Sequence, residues 1–216
     1  MEVSAQNVFV VAISGALIGF IYALLGEGYY RKRFETKSEK KVCHYIISSL
    51  SCAFAGATFV SFSYGITEII ALLFFIACML VAGRIDKAEH IIPNCIICLL
   101  FLSRLSLYTV DIFIDKKLGF YKLENGVKGL VVIGVILFVF SLFCKGKIGM
   151  GDIKALLLVS FYFGLFRSLL IMFAILFVAA SHMIYKVIRR RVGVHEEISF
   201  GPYIAVGGYL ALMLGI

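Results

Sequence analysis

Two aspartates are the residues here best placed to do chemistry. Asp86 closes Gly83-Arg84-Ile85-Asp86, and Asp152 sits in Gly149-Met150-Gly151-Asp152-Ile153-Lys154. Both fall at the edge of long apolar runs that carry almost no other charge. An ionised carboxylate in a membrane helix costs several kcal/mol, about 2.5–3.5 at a helix centre on insertion scales, so it is seldom kept without a use. Two of them, each beside small or helix-opening residues, point to acid–base chemistry. One carboxylate takes a proton from water while its protonated partner polarises the group under attack. Like charges a few ångströms apart cannot both ionise, so such a pair shares one proton and has both forms available without a metal.

Gly149 and Gly151 suit such a site. Glycines ahead of a helix let a substrate backbone come close and leave N–H groups free to bind an extended peptide or an oxyanion. The alternative is a flexible loop with glycines used for packing. Lys154 lies two residues after Asp152, so it faces away on a regular helix and reads as an interface anchor more than as a group acting on the acid. Hydrolysis of a peptide bond by carboxylates needs both of them close together. The apolar segments must therefore bring residues 86 and 152 to one place.

Those segments dominate the chain. Of 216 residues, 62% are hydrophobic and only 16% charged, with a mean hydropathy of +1.01; soluble domains are about 45–50% apolar. The expected fold is all-α, a polytopic membrane helix bundle of about eight transmembrane helices forming one domain over 1–216. Spans are expected at about 8–26, 45–66, 69–85, 91–109, 128–144, 155–166, 168–185 and 199–216, with Arg167 separating the sixth from the seventh and the polar stretch 110–127 as a loop. The net charge of +8 would suggest nucleic acid in a soluble protein. Here the cations cluster in short loops, so lipid headgroups are the expected partner and nucleic acid is not. With the N-terminus outside, fifteen Lys and Arg lie in inside loops and five in outside loops. That asymmetry puts Asp86 and Asp152 together at the cytoplasmic boundary.

Three motifs in order carry a family resemblance: Asp86 followed by Ile92-Pro93-Asn94, then Gly149-Met150-Gly151-Asp152-Ile153-Lys154, then Phe200-Gly201-Pro202-Tyr203 before a small-residue span. In order and spacing they resemble the type IV prepilin peptidases, over about 70–216. The resemblance implies an integral-membrane aspartyl endopeptidase of the Gly-x-Gly-Asp kind. Its partner would be a type IV prepilin or pseudopilin precursor, whose basic leader is removed at the cytoplasmic face of the inner membrane. Asp86 and Asp152 would then be the catalytic dyad. Pro93, Asn94, Gly149, Gly151, Lys154, Gly201 and Pro202 would bind substrate or support the site. Larger members carry a zinc-binding domain with two C-x-x-C pairs and also N-methylate the product. Here a short basic loop, 27–44, with the single cysteine Cys43 stands in that place. The chain therefore resembles the short, peptidase-only branch, and neither a cofactor nor methyltransferase activity is expected.

Other polar residues have plainer readings. Cys95-x-x-Cys98 lies on an apolar helix with no second pair, so packing is preferred to a metal site, which needs four ligands. Glu68 reads as a solvated loop residue and His90 as a polar boundary residue beyond a helix break signalled by Pro93. Arg104 is expected to snorkel or to pair with a loop acid, and His182 to be a core or pore-facing residue hydrogen-bonded to a neighbouring helix. A function from another class, a proton- or ion-coupled transporter with Asp86 and Asp152 as its relay, would need broken helices at the bilayer midplane. The two acids lie instead at its boundary.

Overall fold

The computed structural model describes residues 12–13, 15–17, 19–20, 50, 52–53, 65–143, 149–189 and 199–214. Among the described residues the regular structure is helical, with no strand. Five long elements are α1 (Ile66–Glu89), α2 (Asn94–Ile114), α3 (Lys116–Phe143), α4 (Met150–Ile188) and α5 (Gly201–Met213). Four helical stretches are long and apolar enough to cross a membrane: Ile66–Lys87, Asn94–Ile114, Lys116–Phe143 and Met150–Ile188. A shorter apolar helix covers Gly201–Leu212. The expected spans 8–26 and 45–66 fall mostly outside the described residues, and the loop 27–44, with its basic stretch 31–41, lies wholly outside them.

The chain divides into two compact units, 1–81 and 82–214. In the first, helical residues around Gly15 and Cys52 meet, and a Cβ added to Gly15 would lie 3.1 Å from the Cys52 carbonyl carbon. The first part of α1 also belongs to this unit, with Glu68 in its opening turn.

The second unit holds the remaining elements. At the end of α1 the His90 N–H donates to the Asp86 carbonyl at 2.8 Å, and His90 takes a left-handed φ of 56° that stops the helix. Pro93 then starts α2 as its N-cap, its fixed φ of −63° and ψ of 130° being extended. Its carbonyl accepts from Ile96 N–H at 3.1 Å.

The stretch 110–127 is helical, contrary to the loop expected there. Only Asp115 interrupts it, with φ −141° and ψ 106°. The Asp115 Oδ1 accepts from the N–H groups of Lys117 (2.9 Å) and Leu118 (3.1 Å), so this aspartate caps α3 and lets it begin at once. Lys122 reaches back to Asp111 at 3.4 Å. The charges that suggested a loop therefore serve a tight helix–helix corner.

Helix α4 is broken at Gly164, which has φ 74° and ψ −177°, a region essentially open to glycine alone. The break lies three residues before Arg167, the separator expected from sequence. A straight helix would hold Asp152 and His182 about 45 Å apart. Contacts on either side exclude that. Before the break, α4 runs alongside α2, through Lys154–Asn94 and Tyr162–Ser103. After it, α4 runs antiparallel to α5, through Ile175–Gly207 and His182–Tyr203. Since α5 begins at Gly201, against Asp86, the chain returns at Gly164 toward the end of the unit from which α4 started.

The break is tied to its neighbours by Tyr108, whose hydroxyl donates to the Phe161 carbonyl at 2.6 Å, and by Asn125, whose Oδ1 accepts from Leu165 N–H at 3.5 Å. Arg104 does not snorkel. It is only 5% exposed, with its guanidinium 4.2 Å from the Tyr108 ring centroid and 5.5 Å from that of Tyr162. Aromatic faces take the place of the expected loop acid.

Candidate active site

Asp86 sits in the last turn of α1 and is only 4% exposed. Its Oδ2 accepts a hydrogen bond from Gly201 N–H at 2.7 Å. That N–H is one of the donors a helix leaves unpaired at its start, and the amino end of α5 adds the positive end of a helix dipole. Pro202 follows at the first positions of α5, where its missing N–H costs no bond. A Cβ on Gly201 would lie 2.9 Å from both Cβ and Oδ2 of Asp86. Only the absence of a side chain lets α5 approach the acid so closely. One turn before Asp86, a Cβ on Gly83 would lie 3.1 Å from both the Gly201 oxygen and Pro202 Cα, so α1 and α5 cross here backbone to backbone.

Asp152 lies in the first turn of α4, for which Gly149 is the N-cap. The Gly149 carbonyl accepts from the N–H groups of Asp152 (3.1 Å) and Ile153 (3.2 Å). The Asp152 carboxylate turns back over the cap, for a Cβ on Gly149 would sit 3.0 Å from its Oδ2. Next to it, Gly151 faces Ile92, with 3.3 Å between a Cβ built there and Ile92 Cβ. Lys154 Nζ donates to Asn94 Oδ1 at 3.0 Å. The start of α4 is thus docked on Ile92-Pro93-Asn94, the segment that directly follows the end of α1. This places Asp152 within electrostatic range of Asp86.

All nine expected site residues therefore gather where the end of α1 meets the starts of α2, α4 and α5. Lys154 binds Asn94 and not an acid, in keeping with the anchor reading. Asn94 and Lys154 also stand at one end of an apolar cavity of about 360 Å³ between α2, α3 and α4, lined by Ile97, Cys98, Phe101, Leu130, Leu157 and Leu158. Cys95 and Cys98 are exposed free thiols on α2. Among the described residues no group of three or more His, Cys, Asp or Glu is arranged to hold a metal ion.

Three residues with a part in this geometry were not singled out from sequence. Gly83 carried a usable signal, since a glycine three positions before Asp86 shares its helix face. Ile92 appeared only as the start of the Ile92-Pro93-Asn94 motif, with no part of its own assigned. Tyr203 appeared only as the end of a motif. Its hydroxyl lies 2.7 Å from His182 Nδ1 and is the neighbouring-helix partner expected for that histidine, which is itself exposed and not in the core.

The model of the type IV leader peptidase family matches residues 73–184, a little over half the chain, and the matched stretch includes both aspartates. Nothing matches among curated proteins or among solved structures. The match joins the membrane-type helices to a proteolytic family, and on that ground this chain belongs to the type IV leader peptidases.

Proposed function

We propose that the protein is an aspartyl endopeptidase that removes the N-terminal leader of type IV prepilins or pseudopilins at the cytoplasmic face of the inner membrane. Asp86 and Asp152 form its catalytic dyad. The observation that carries this reading is the meeting of two acids from distant parts of the chain at one cluster of helix ends, with Gly201 N–H held against Asp86 at 2.7 Å. Family membership supports peptide hydrolysis as the use of the pair.

In this reading the substrate's apolar stem enters between the helices and its basic leader stays at the membrane surface. The ionised carboxylate takes a proton from water, whose oxygen attacks the scissile carbonyl carbon. The protonated partner gives its proton to the carbonyl oxygen, forming a neutral tetrahedral diol. Proton return through the dyad then releases the amine and the new carboxylic acid. No acyl-enzyme forms, because water and not a side chain is the nucleophile. Loss of either acid leaves one that cannot fill both roles.

Co-expression with a candidate precursor tests the proposal, with the mature N-terminus read by mass spectrometry. Asp86→Asn and Asp152→Asn should each accumulate uncleaved precursor while the membrane level of the enzyme holds. Normal processing in either variant removes the dyad. A single methyl-free N-terminus after the cut supports the peptidase-only reading, and a methylated one made by this protein alone refutes it.

A further inference from the structure

We propose that His182 and Tyr203 form a strut that positions α5, and through Gly201 the acid at residue 86. This rests on Asp86 being catalytic. Helix α5 has only 13 residues and packs along α4, and two of the contacts with its second part bear on the acid. At Gly207 an added Cβ would lie 2.5 Å from Ile175 Cα, so the two backbones touch. At Tyr203 the hydroxyl meets His182 Nδ1 at 2.7 Å. Tyr203 is itself buried, and its ring lies 6.2 Å from that of Phe200. The Phe200 carbonyl accepts from the N–H groups of Tyr203 (3.0 Å) and Ile204 (3.2 Å), so this turn moves as one piece with Gly201.

The lever is short and the tolerance small. Six residues separate the Gly207 contact from Gly201, about 9 Å along a helix, so a tilt of about 5° moves the Gly201 N–H by roughly 0.8 Å. A hydrogen bond of 2.7 Å does not survive a stretch of that size. Gly207 against Ile175 and Gly201-Pro202 against Gly83 hold α5 by apolar and backbone packing alone. The His182–Tyr203 bond adds a directional polar contact between those two points, on the side of Gly207 nearer the acid. Neither residue touches the carboxylates in the way Gly201 does, so both are positioning residues.

The test uses the full-length enzyme in lipid and a synthetic peptide with a basic leader, a glycine and an apolar stem. Tyr203→Phe and His182→Ala should each lower kcat roughly five- to tenfold, the loss of one hydrogen bond, with KM little changed. The double variant should be no slower than the slower single one, since the two act as one pair. His182→Asn, which keeps a polar group near the Nδ1 position, should recover most of the rate. A direct readout comes from labelling carbonyl carbons of Phe and nitrogens of Gly, which selects two amides, Gly164 and Gly201. In Tyr203→Phe the Gly201 amide proton should move toward weaker hydrogen bonding while Gly164 stays in place. Wild-type kcat in both single variants, a loss confined to KM, additive losses in the double variant, no recovery with Asn, or an unmoved Gly201 amide would each overturn the strut. Cleavage by Asp86→Asn would instead overturn the dyad, and the Gly201 amide would still decide whether His182 and Tyr203 hold α5.

Discussion

Gly201→Ala is the sharpest single perturbation of the site. Alanine is the better helix former by about 1 kcal/mol, so propensity alone would favour the change. The added methyl, however, would lie 2.9 Å from Asp86 Cβ, 2.9 Å from its Oδ2 and 3.1 Å from its Cγ. Carbon atoms rest at about 3.5–4.0 Å, so α5 or the acid must give way by roughly 0.5–1 Å. The neighbour includes Cβ, which follows the α1 backbone, so rotation of the carboxylate cannot relieve the contact. Movement of that size weakens or breaks the bond from Gly201 N–H, and a hydrogen bond to a charged group is worth about 1.5–3 kcal/mol. It also displaces the acid, and a shift of 1 Å in a reacting group can cost about a hundredfold. The expected loss in kcat is therefore roughly ten- to a hundredfold, with enzyme abundance in the membrane retained. Gly149→Ala is the internal comparison. There the close atom is one oxygen, Asp152 Oδ2 at 3.0 Å, with Cγ already at 3.7 Å, so a small side-chain rotation suffices and the loss should be smaller. Gly134→Ala, which meets only Leu157 Cδ2 at 3.4 Å, should cleave at close to the normal rate. Initial rates on one peptide substrate rank the three. Gly201→Ala within twofold of wild type, or a rank with Gly134→Ala lowest, refutes the close approach of α5 to Asp86.

Two further changes probe the scaffold. Gly164→Ala puts a side chain at φ 74°, ψ −177° and drives its Cβ into the Asn125 amide; the backbone alone costs about 1–3 kcal/mol. The unfolding midpoint of the purified protein should fall by several degrees. Adding Asn125→Gly should restore only part of it, because that change relieves the contact and leaves the dihedral. Lys154→Ala and Asn94→Ala each remove one exposed 3.0 Å bond, so each should lower kcat/KM by no more than about tenfold. The double variant should match the worse single one, and independent multiplicative losses would show that the two residues act separately.

The aspartates and their supporting motifs were legible in sequence because isolated charges and helix-starting residues are rare in apolar runs. Asp86, Asp152, Pro93 and Gly149 each stand where a helix ends or begins, and such positions are written in residue type: a positive-φ stop at His90, a fixed φ at Pro93, a cap at Gly149. Long spans were legible too, since hydropathy reports them directly. Corners were harder. The charged stretch 110–127 has the composition of a loop, yet Asp115 caps a helix that uses most of those charges along its surface. The turn in α4 was placed at Arg167 because a charge in an apolar run looks like an exit from the membrane. The dihedral requirement sits at Gly164, one glycine among 20 in the chain. The close pairing of Gly83 with Pro202, or of Ile92 with Gly151, depends on distances between remote segments that no local pattern records.

The ends of helices also explain how two acids can be kept together. Asp86 lies at the amino end of α5, and Asp152 lies in the first turn of α4. A helix N-terminus favours a negative charge by about 0.3–1 kcal/mol, and by up to about 2 when partly buried. Two full charges about 4 Å apart repel by about 4 kcal/mol at an effective dielectric near 20. Asp86 also lies in the last turn of α1, whose dipole opposes its charge, so the helix N-termini offset only part of that repulsion, and the desolvation of a second buried ion, several kcal/mol more, is left without compensation. On these magnitudes a pair at that separation favours one negative charge over two. In the proposed dyad this leaves a single proton shared between Asp86 and Asp152, which is the state that activates water on one side and polarises a carbonyl on the other. A site built from the middles of helices would lack the free N–H groups to hold even the first charge. In the proposed dyad the helix starts after Gly149 and Phe200 supply such groups.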